Sequence, residues 1–184
     1  MNSLSFEIKA RCSDPGRIRK VLLARGASFK GLDRQIDTYF RIPSGRLKLR
    51  EGNIENALIY YRRGDQKRSK QCDAMIFPCK KKTPLKELLT AALGILAVVK
   101  KKRAIYFIQN IKFHIDRVKR LGNFVEIEVF ARKGSPVAAK LRKQSEFYQR
   151  LLGIRAEELV ADSYSDQLIR LETRDRRLKL KTKI

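Results

Sequence analysis

The sequence predicts an α+β fold: an eight-stranded antiparallel closed β-barrel with helices packed outside. Three observations predict it. Eight short segments alternate polar and apolar residues, the period of a strand with two unlike faces. Their connections are hairpin-like, so neighbours in sequence pair antiparallel. The polar row of strand after strand is almost wholly charged, whereas an ordinary half-buried sheet shows a mixed face to water. If the apolar rows pack against helices outside, the charged rows line the inside of a barrel.

The first strand is Leu4–Cys12, in which Ser5, Glu7, Lys9 and Arg11 alternate with Leu4, Phe6, Ile8 and Ala10. A helix follows, with Asp14 as N-cap, Pro15 in the first turn and Gly26 as the stop. Its apolar stripe is Ile18, Val21, Leu22 and the aliphatic part of Arg25. "SFKGLDRQIDTYF" is a long strand that ends at a Pro-Ser-Gly turn. "RLKLREG" sets Arg46, Lys48 and Arg50 against Leu47 and Leu49, and "ENALIYYRRGD" continues to a turn at Gly64-Asp65. Residues 69–78 give a weaker strand. "TPLKELLTAALG" is a helix with Thr83 as N-cap, Pro84 first and Gly94 as stop. Three strands come next: "LAVVKKKRAIYFIQN", "IKFHIDRV" and "NFVEIEVFARK". A helix opened by Ser135-Pro136 closes at Gly153, and a short helix spans 156–161. Residues 1–170 are expected to form one domain, and 171–184 a basic tail, partly disordered.

The net charge is +24, from 43 Lys and Arg against 19 Asp and Glu. That excess calls for a polyanionic partner: nucleic acid, an acidic surface or a phosphorylated small molecule. The longest apolar run, Leu88–Val99, is too short to span a bilayer. The N-terminus has no apolar signal core, so a cytoplasmic protein without a membrane partner is expected. Three cysteines lack Cys-x-x-Cys spacing and are expected as ordinary thiols.

Basic rows recur at Lys9/Arg11, Lys48/Arg50 and Lys101/Arg103. Arg and Lys in such rows grip phosphate oxygens. Glu7, Asp116, Glu126 and Glu128 fall among them, and carboxylates beside phosphate-binding cations suit Mg²⁺ or Mn²⁺. The plain alternative is that Glu126 and Glu128 pair with cations on neighbouring strands. His114, the single histidine, is read either as structural or as a catalytic base. Asp33 and Asp37 are read as turn or rim charges.

The order "FEIKAR", "DTYF", "RLKLRE", "VVKKKR", "HID", "FVEIEV" and "DSYSDQL" resembles the CYTH family, the triphosphate tunnel metalloenzymes. The resemblance runs from Ser5 to about Leu168 and is nearest to class IV adenylyl cyclase-like proteins. It implies a tunnel in which Lys9, Arg11, Lys48, Arg50, Lys101 and Arg103 bind a triphosphate. Glu7, Glu126, Glu128 and Asp116 would hold Mg²⁺ or Mn²⁺, and Lys9, Arg103 and His114 would act in catalysis. The family's E-x-E-x-K motif falls on Ser5, Glu7 and Lys9, with Ser5 where a carboxylate is expected. The implied activity is hydrolysis of a phosphoanhydride or cyclisation of ATP by a monomer or homodimer. The substrates are ATP, thiamine triphosphate or tripolyphosphate. A non-catalytic module that binds RNA or polyphosphate stands beside it, with Lys80–Lys82 and the basic tail as nucleic-acid contacts.

Overall fold

A computed structural model describes residues 2–63, 70–81, 83–130 and 138–181. The element order is β1 (Asn2–Arg11), α1 (Pro15–Ala24), β2 (Ser28–Phe40), β3 (Arg46–Glu51), β4 (Ala57–Arg63), β5 (Lys70–Pro78), α2 (Leu85–Leu93), β6 (Ile95–Ile108), β7 (Ile111–Val118), β8 (Gly122–Phe130), α3 (Ala138–Leu151), a 3₁₀ turn (Ala156–Glu158) and α4 (Tyr164–Lys181). The strands form a closed antiparallel barrel in the order β1-β5-β4-β3-β2-β6-β7-β8. Closure rests on β1, which pairs with β5 on one side and β8 on the other. A closed sheet has no exposed edge, so every strand's backbone finds partners on both sides.

The alternation read from the sequence sorts residues as expected. Phe6, Ile8 and Ala10 of β1, Phe113 of β7, and Val125, Ile127 and Val129 of β8 face outward. They pack with Ile18 and Leu22 of α1 and Leu141 of α3 in one apolar cluster. Arg25 does not join the α1 stripe; it is exposed and caps the helix end. Asp14 does cap α1, accepting from the backbone N–H of Arg17 at 2.9 Å. In α2 the helix begins one residue later than expected. Pro84 holds the cap position, while Thr83 Oγ1 accepts from the Leu85 N–H at 3.4 Å. Gly94 ends α2 with a φ of 70°, which costs a glycine little. This division places the apolar run Leu88–Val99 partly in α2 and partly in β6. No helix among the described residues is long and apolar enough to cross a membrane.

A second apolar cluster closes one end of the barrel. Tyr164 and Leu168 of α4 pack with Tyr39, Val99, Val118 and Phe124, residues near the ends of β2 and β7 and the starts of β6 and β8. Arg46 at the start of β3 holds Asp166 of α4 at 2.8 Å. The basic segment read as a tail is therefore, through Lys181, the continuation of this helix. The expected turn at Gly64-Asp65, the helix opening at Ser135-Pro136 and Lys82 lie outside the described residues. The three cysteines are free thiols, two of them buried.

Candidate functional site

Inside the barrel lies a cavity of about 400 Å³. Strand parity decides what lines it. Glu7 and Lys9 enter from β1, Lys48 and Arg50 from β3, Lys101 and Arg103 from β6, Lys112 and His114 from β7, and Glu126 and Glu128 from β8. Register explains their convergence: Glu7 faces Glu128, Lys9 faces Glu126, His114 faces Glu126 and Lys112 faces Glu128 across neighbouring strands.

The cations are not bare. Asp37 of β2 accepts from Lys48 at 3.2 Å, from both ends of the Arg50 guanidinium at 2.8 and 2.9 Å, and from Lys101 at 2.8 Å. Burial would raise its pKa, but the three cations hold it well below the usual carboxylate range. Arg103 forms a two-point bond with Asp116, at 2.7 and 2.5 Å, and reaches Glu126 at 2.6 Å. Lys9 lies 3.1 Å from Glu126 and 3.9 Å from Glu7. Glu55, on the β3–β4 loop, pairs with Arg50 at 3.0 Å and with Lys112. Six cations thus meet five carboxylates, and Glu128 is a sixth. The described lining therefore contributes almost nothing to the +24 charge, and no cluster of uncompensated cations has to be held out of water.

Two acids of β2 escape the sequence reading. Asp33 and Asp37 are not rim charges; both are fully buried. Asp33 accepts from the backbone N–H of Ile54 at 2.9 Å and of Glu55 at 3.0 Å, fixing the loop that delivers Glu55. Their strand, with apolar residues on both faces, gives no period that singles them out. Glu55 and Lys112 were also missed as site residues; Lys112 is signalled only by its parity with His114.

Three expected site residues lie elsewhere or are otherwise engaged. Arg11 is exposed outside the cavity, donating to the Leu121 carbonyl at 3.1 Å. Asp116 spends its oxygens on Arg103 and on the Tyr164 hydroxyl, which donates at 2.9 Å. Glu126 is engaged by Lys9, Arg103 and His114. For Asp116 and Glu126 the ion-pair alternative describes the geometry, because Arg103 bridges the two and leaves little lone-pair capacity for another cation.

Glu128 differs. Its one described hydrogen bond is from Ser5 Oγ at 3.4 Å, and it makes no salt bridge among the described residues. Burial first, and the neighbouring Glu7 second, push its pKa up to about 7. Two adjacent carboxylates that hold a proton near neutrality are a donor set that fits a divalent cation, which would replace the proton. Among the described residues no group of three or more His, Cys, Asp and Glu stands ready for a metal. Fit is thus limited to Glu7 and Glu128, in keeping with Mg²⁺ sites that use one or two carboxylates with substrate phosphates.

His114 is buried, and its Nδ1 lies 3.2 Å from Glu126 Oε2. Burial, then Arg103, pushes its pKa down to about 4, so the ring is neutral at pH 7. With Nδ1–H donating to Glu126, Nε2 is an acceptor, and it has no hydrogen-bond partner among the described residues. Burial, then Arg103, pushes Lys101 down to about 7, against the pull of Asp37.

A closed antiparallel barrel with an ion-paired lining of Lys, Arg, Asp and Glu defines a tunnel protein of the kind expected to hold charged ligands. The CYTH domain profile matches residues 4–164, and the chain belongs to the CYTH domain family, whose members are in general dependent on a divalent metal. No curated protein matches the chain. A solved structure from Pyrococcus horikoshii OT3 is 26% identical with a TM-score of 0.77, covering 88% of this chain and 98% of its own. A candidate adenylate cyclase from Vibrio parahaemolyticus is 16% identical with a TM-score of 0.72, covering 91% and 99%. A candidate adenylyl cyclase from Hippeastrum, with a dominant triphosphatase activity, is 12% identical with a TM-score of 0.57, covering 91% and 94%. The last two likenesses concern the fold.

Proposed function

We propose that this protein is a divalent-metal-dependent enzyme that binds a triphosphate in its tunnel and cleaves a phosphoanhydride. One observation carries the reading: Lys9, Lys48, Arg50, Lys101, Arg103 and Lys112 converge with Glu7 and Glu128 on one cavity. Phosphoryl transfer needs mainly positioning and charge neutralisation, and this lining offers both. Lys48, Lys101 and Lys112 would exchange carboxylate oxygens for phosphate oxygens, as point charges free to swing. Arg103, pinned by Asp116, keeps its place and presents the remainder of its fork. Glu7 and Glu128 would hold Mg²⁺ or Mn²⁺, which when bound offsets phosphate charge and acidifies water. Neutral His114 would hold Glu126 through Nδ1–H rather than deprotonate a water, since burial and Arg103 push its pKa down to about 4. Hydrolysis and cyclisation of ATP differ in whether water or a ribose hydroxyl attacks, and the products of the screen below separate them.

The test is a screen of ATP, thiamine triphosphate and tripolyphosphate with Mg²⁺ and Mn²⁺, reading phosphate and cyclic nucleotide. Metal-stimulated phosphate release is expected, and Glu7→Gln/Glu128→Gln should abolish it. Full activity in that double variant would contradict the metal assignment. Binding without any turnover would favour a non-catalytic module.

Polyanion binding on the outer surface is a second reading with its own observation. Arg34, Lys102 and Arg117 stand side by side across β2, β6 and β7. All three are exposed, as are Lys100 and Lys119 beside them, and none makes a salt bridge among the described residues. Like charges in register are unfavourable unless a polyanion such as RNA covers them.

A further inference from the structure

The ionic lining covers only part of the tunnel circumference. β4 and β5 turn a different row inward. Ala57, Ile59 and Tyr61 of β4 face Pro78, Ile76 and Ala74 of β5 in register. All six line the cavity, together with Cys72. Directly beside them stand Arg50, opposite Ala57, and Lys48, opposite Ile59. The cavity therefore has one wall of ion pairs and one wall of carbon.

That apolar wall is only partly used in packing, where Ile59 and Ala74 lean on the cluster that includes Tyr61 and Cys72. Ile59, Ala74 and Ile76 point into the barrel yet remain only half-buried, so they present apolar surface to the cavity. Apolar surface held in a concave site is stabilised when an apolar group displaces its water. The wall also offers phosphate little. Along Ala57, Ile59, Ala74, Ile76 and Pro78 no side chain carries a hydrogen-bond donor. A phosphate oxygen turned toward it would give up water without a replacement, a costly exchange for a charged group. An inorganic triphosphate would thus be gripped from one side only.

We propose that the tunnel takes an amphipathic phosphorylated ligand: a phosphoanhydride head on the ionic wall, esterified to a compact aliphatic or aryl group on the β4–β5 wall. This rests on the phosphate-binding reading above and narrows its substrate class. The cavity, about 400 Å³, is at the small end of ligand sites, which limits the apolar part to a prenyl-sized chain or a single ring. Tyr61 and Tyr39 border the same space and supply flat apolar faces.

Isothermal calorimetry with Mg²⁺ on three probes tests this: tripolyphosphate, its methyl ester and its n-pentyl ester. Each methylene buried on the wall is worth about fourfold in affinity, so the pentyl ester should bind at least about tenfold tighter than the methyl ester. Ile59→Asn and, separately, Ala74→Asn should reduce that gain to under about threefold. Neither change should alter the Kd of tripolyphosphate. Ile59 and Ala74 border open cavity, and two variants guard against one that misfolds. Equal affinity for the methyl and pentyl esters would overturn the inference while leaving the phosphate site intact. A pentyl gain that survives both variants would overturn its placement on β4–β5. Failure of all three probes to bind would overturn the phosphate reading and this inference with it.

Discussion

Glu128 and His114 sit in the same tunnel and titrate in opposite senses. Glu128 rises from 4.5 to about 7 in the folded protein, from burial first and Glu7 second. Between those pH values the folded state keeps a proton that the unfolded chain releases. Stability therefore falls as pH rises through this window. His114 falls from 6.5 to about 4, from burial first and Arg103 second. Here the unfolded chain holds the extra proton, so stability is lost as pH falls from 6.5 toward 4. The two slopes cancel across their overlap. Glu128→Gln should unmask a stability that rises, by roughly a kcal/mol per unit, between pH 4.5 and 6.5, and His114→Asn the reverse slope. Urea unfolding at three pH values measures both; a flat profile in Glu128→Gln would contradict the assignment. A divalent cation held at Glu128 would compete with its proton, so Mg²⁺ should stabilise the wild type more at pH 8 than at pH 5. Glu128→Gln should erase that difference in a thermal melt.

The β3–β4 loop shows how an element delivers a side chain. Asp33 holds the Ile54 and Glu55 amides and the Gln35 side chain, the last at 2.7 Å. Gly52 makes room for it: a Cβ there would sit 2.6 Å from Asp33 Oδ1. Asp33→Ala should cost about 2–3 kcal/mol, because it leaves backbone donors without a partner. It should also speed hydrogen exchange at Ile54 and Glu55; unchanged exchange would show that the loop is fixed by other means. The strands themselves were legible because alternation needs only local sequence, as Phe6, Ile8 and Ala10 against Glu7 and Lys9 illustrate. Asp37 was not legible. Its role depends on β2 lying between β3 and β6, which brings Lys48, Arg50 and Lys101 to one carboxylate, and no local pattern encodes that neighbourhood. Glu55 sits on a loop, where there is no period to read, and Ser5 was legible only as a departure from the resembling motif.

At the scale of the molecule, charge among the described residues is divided between a balanced tunnel and a basic exterior. The sequence shows the excess but not its place, since the sign balance of the lining emerges only when the barrel closes and pairs each cation with an acid. The exterior row predicts that Arg34→Glu/Lys102→Glu/Arg117→Glu reduces RNA-oligonucleotide binding and flattens the slope of log affinity against log salt by about 2. Phosphate release from tripolyphosphate should be untouched by these three changes, and a matched loss there would merge the two surfaces into one. The apolar β4–β5 wall likewise becomes visible only in the closed barrel, because each strand alone reads as ordinary core. On the proposed reading, tunnel cations would hold a phosphoanhydride beside a metal at Glu7 and Glu128. Calorimetric titration of tripolyphosphate, with and without Mn²⁺, tests it most directly. Mn²⁺ should enhance binding to the wild type, Lys48→Ala should bind about tenfold more weakly, and Glu128→Gln should show no Mn²⁺ enhancement. Wild-type affinity and full Mn²⁺ enhancement in both variants would contradict it.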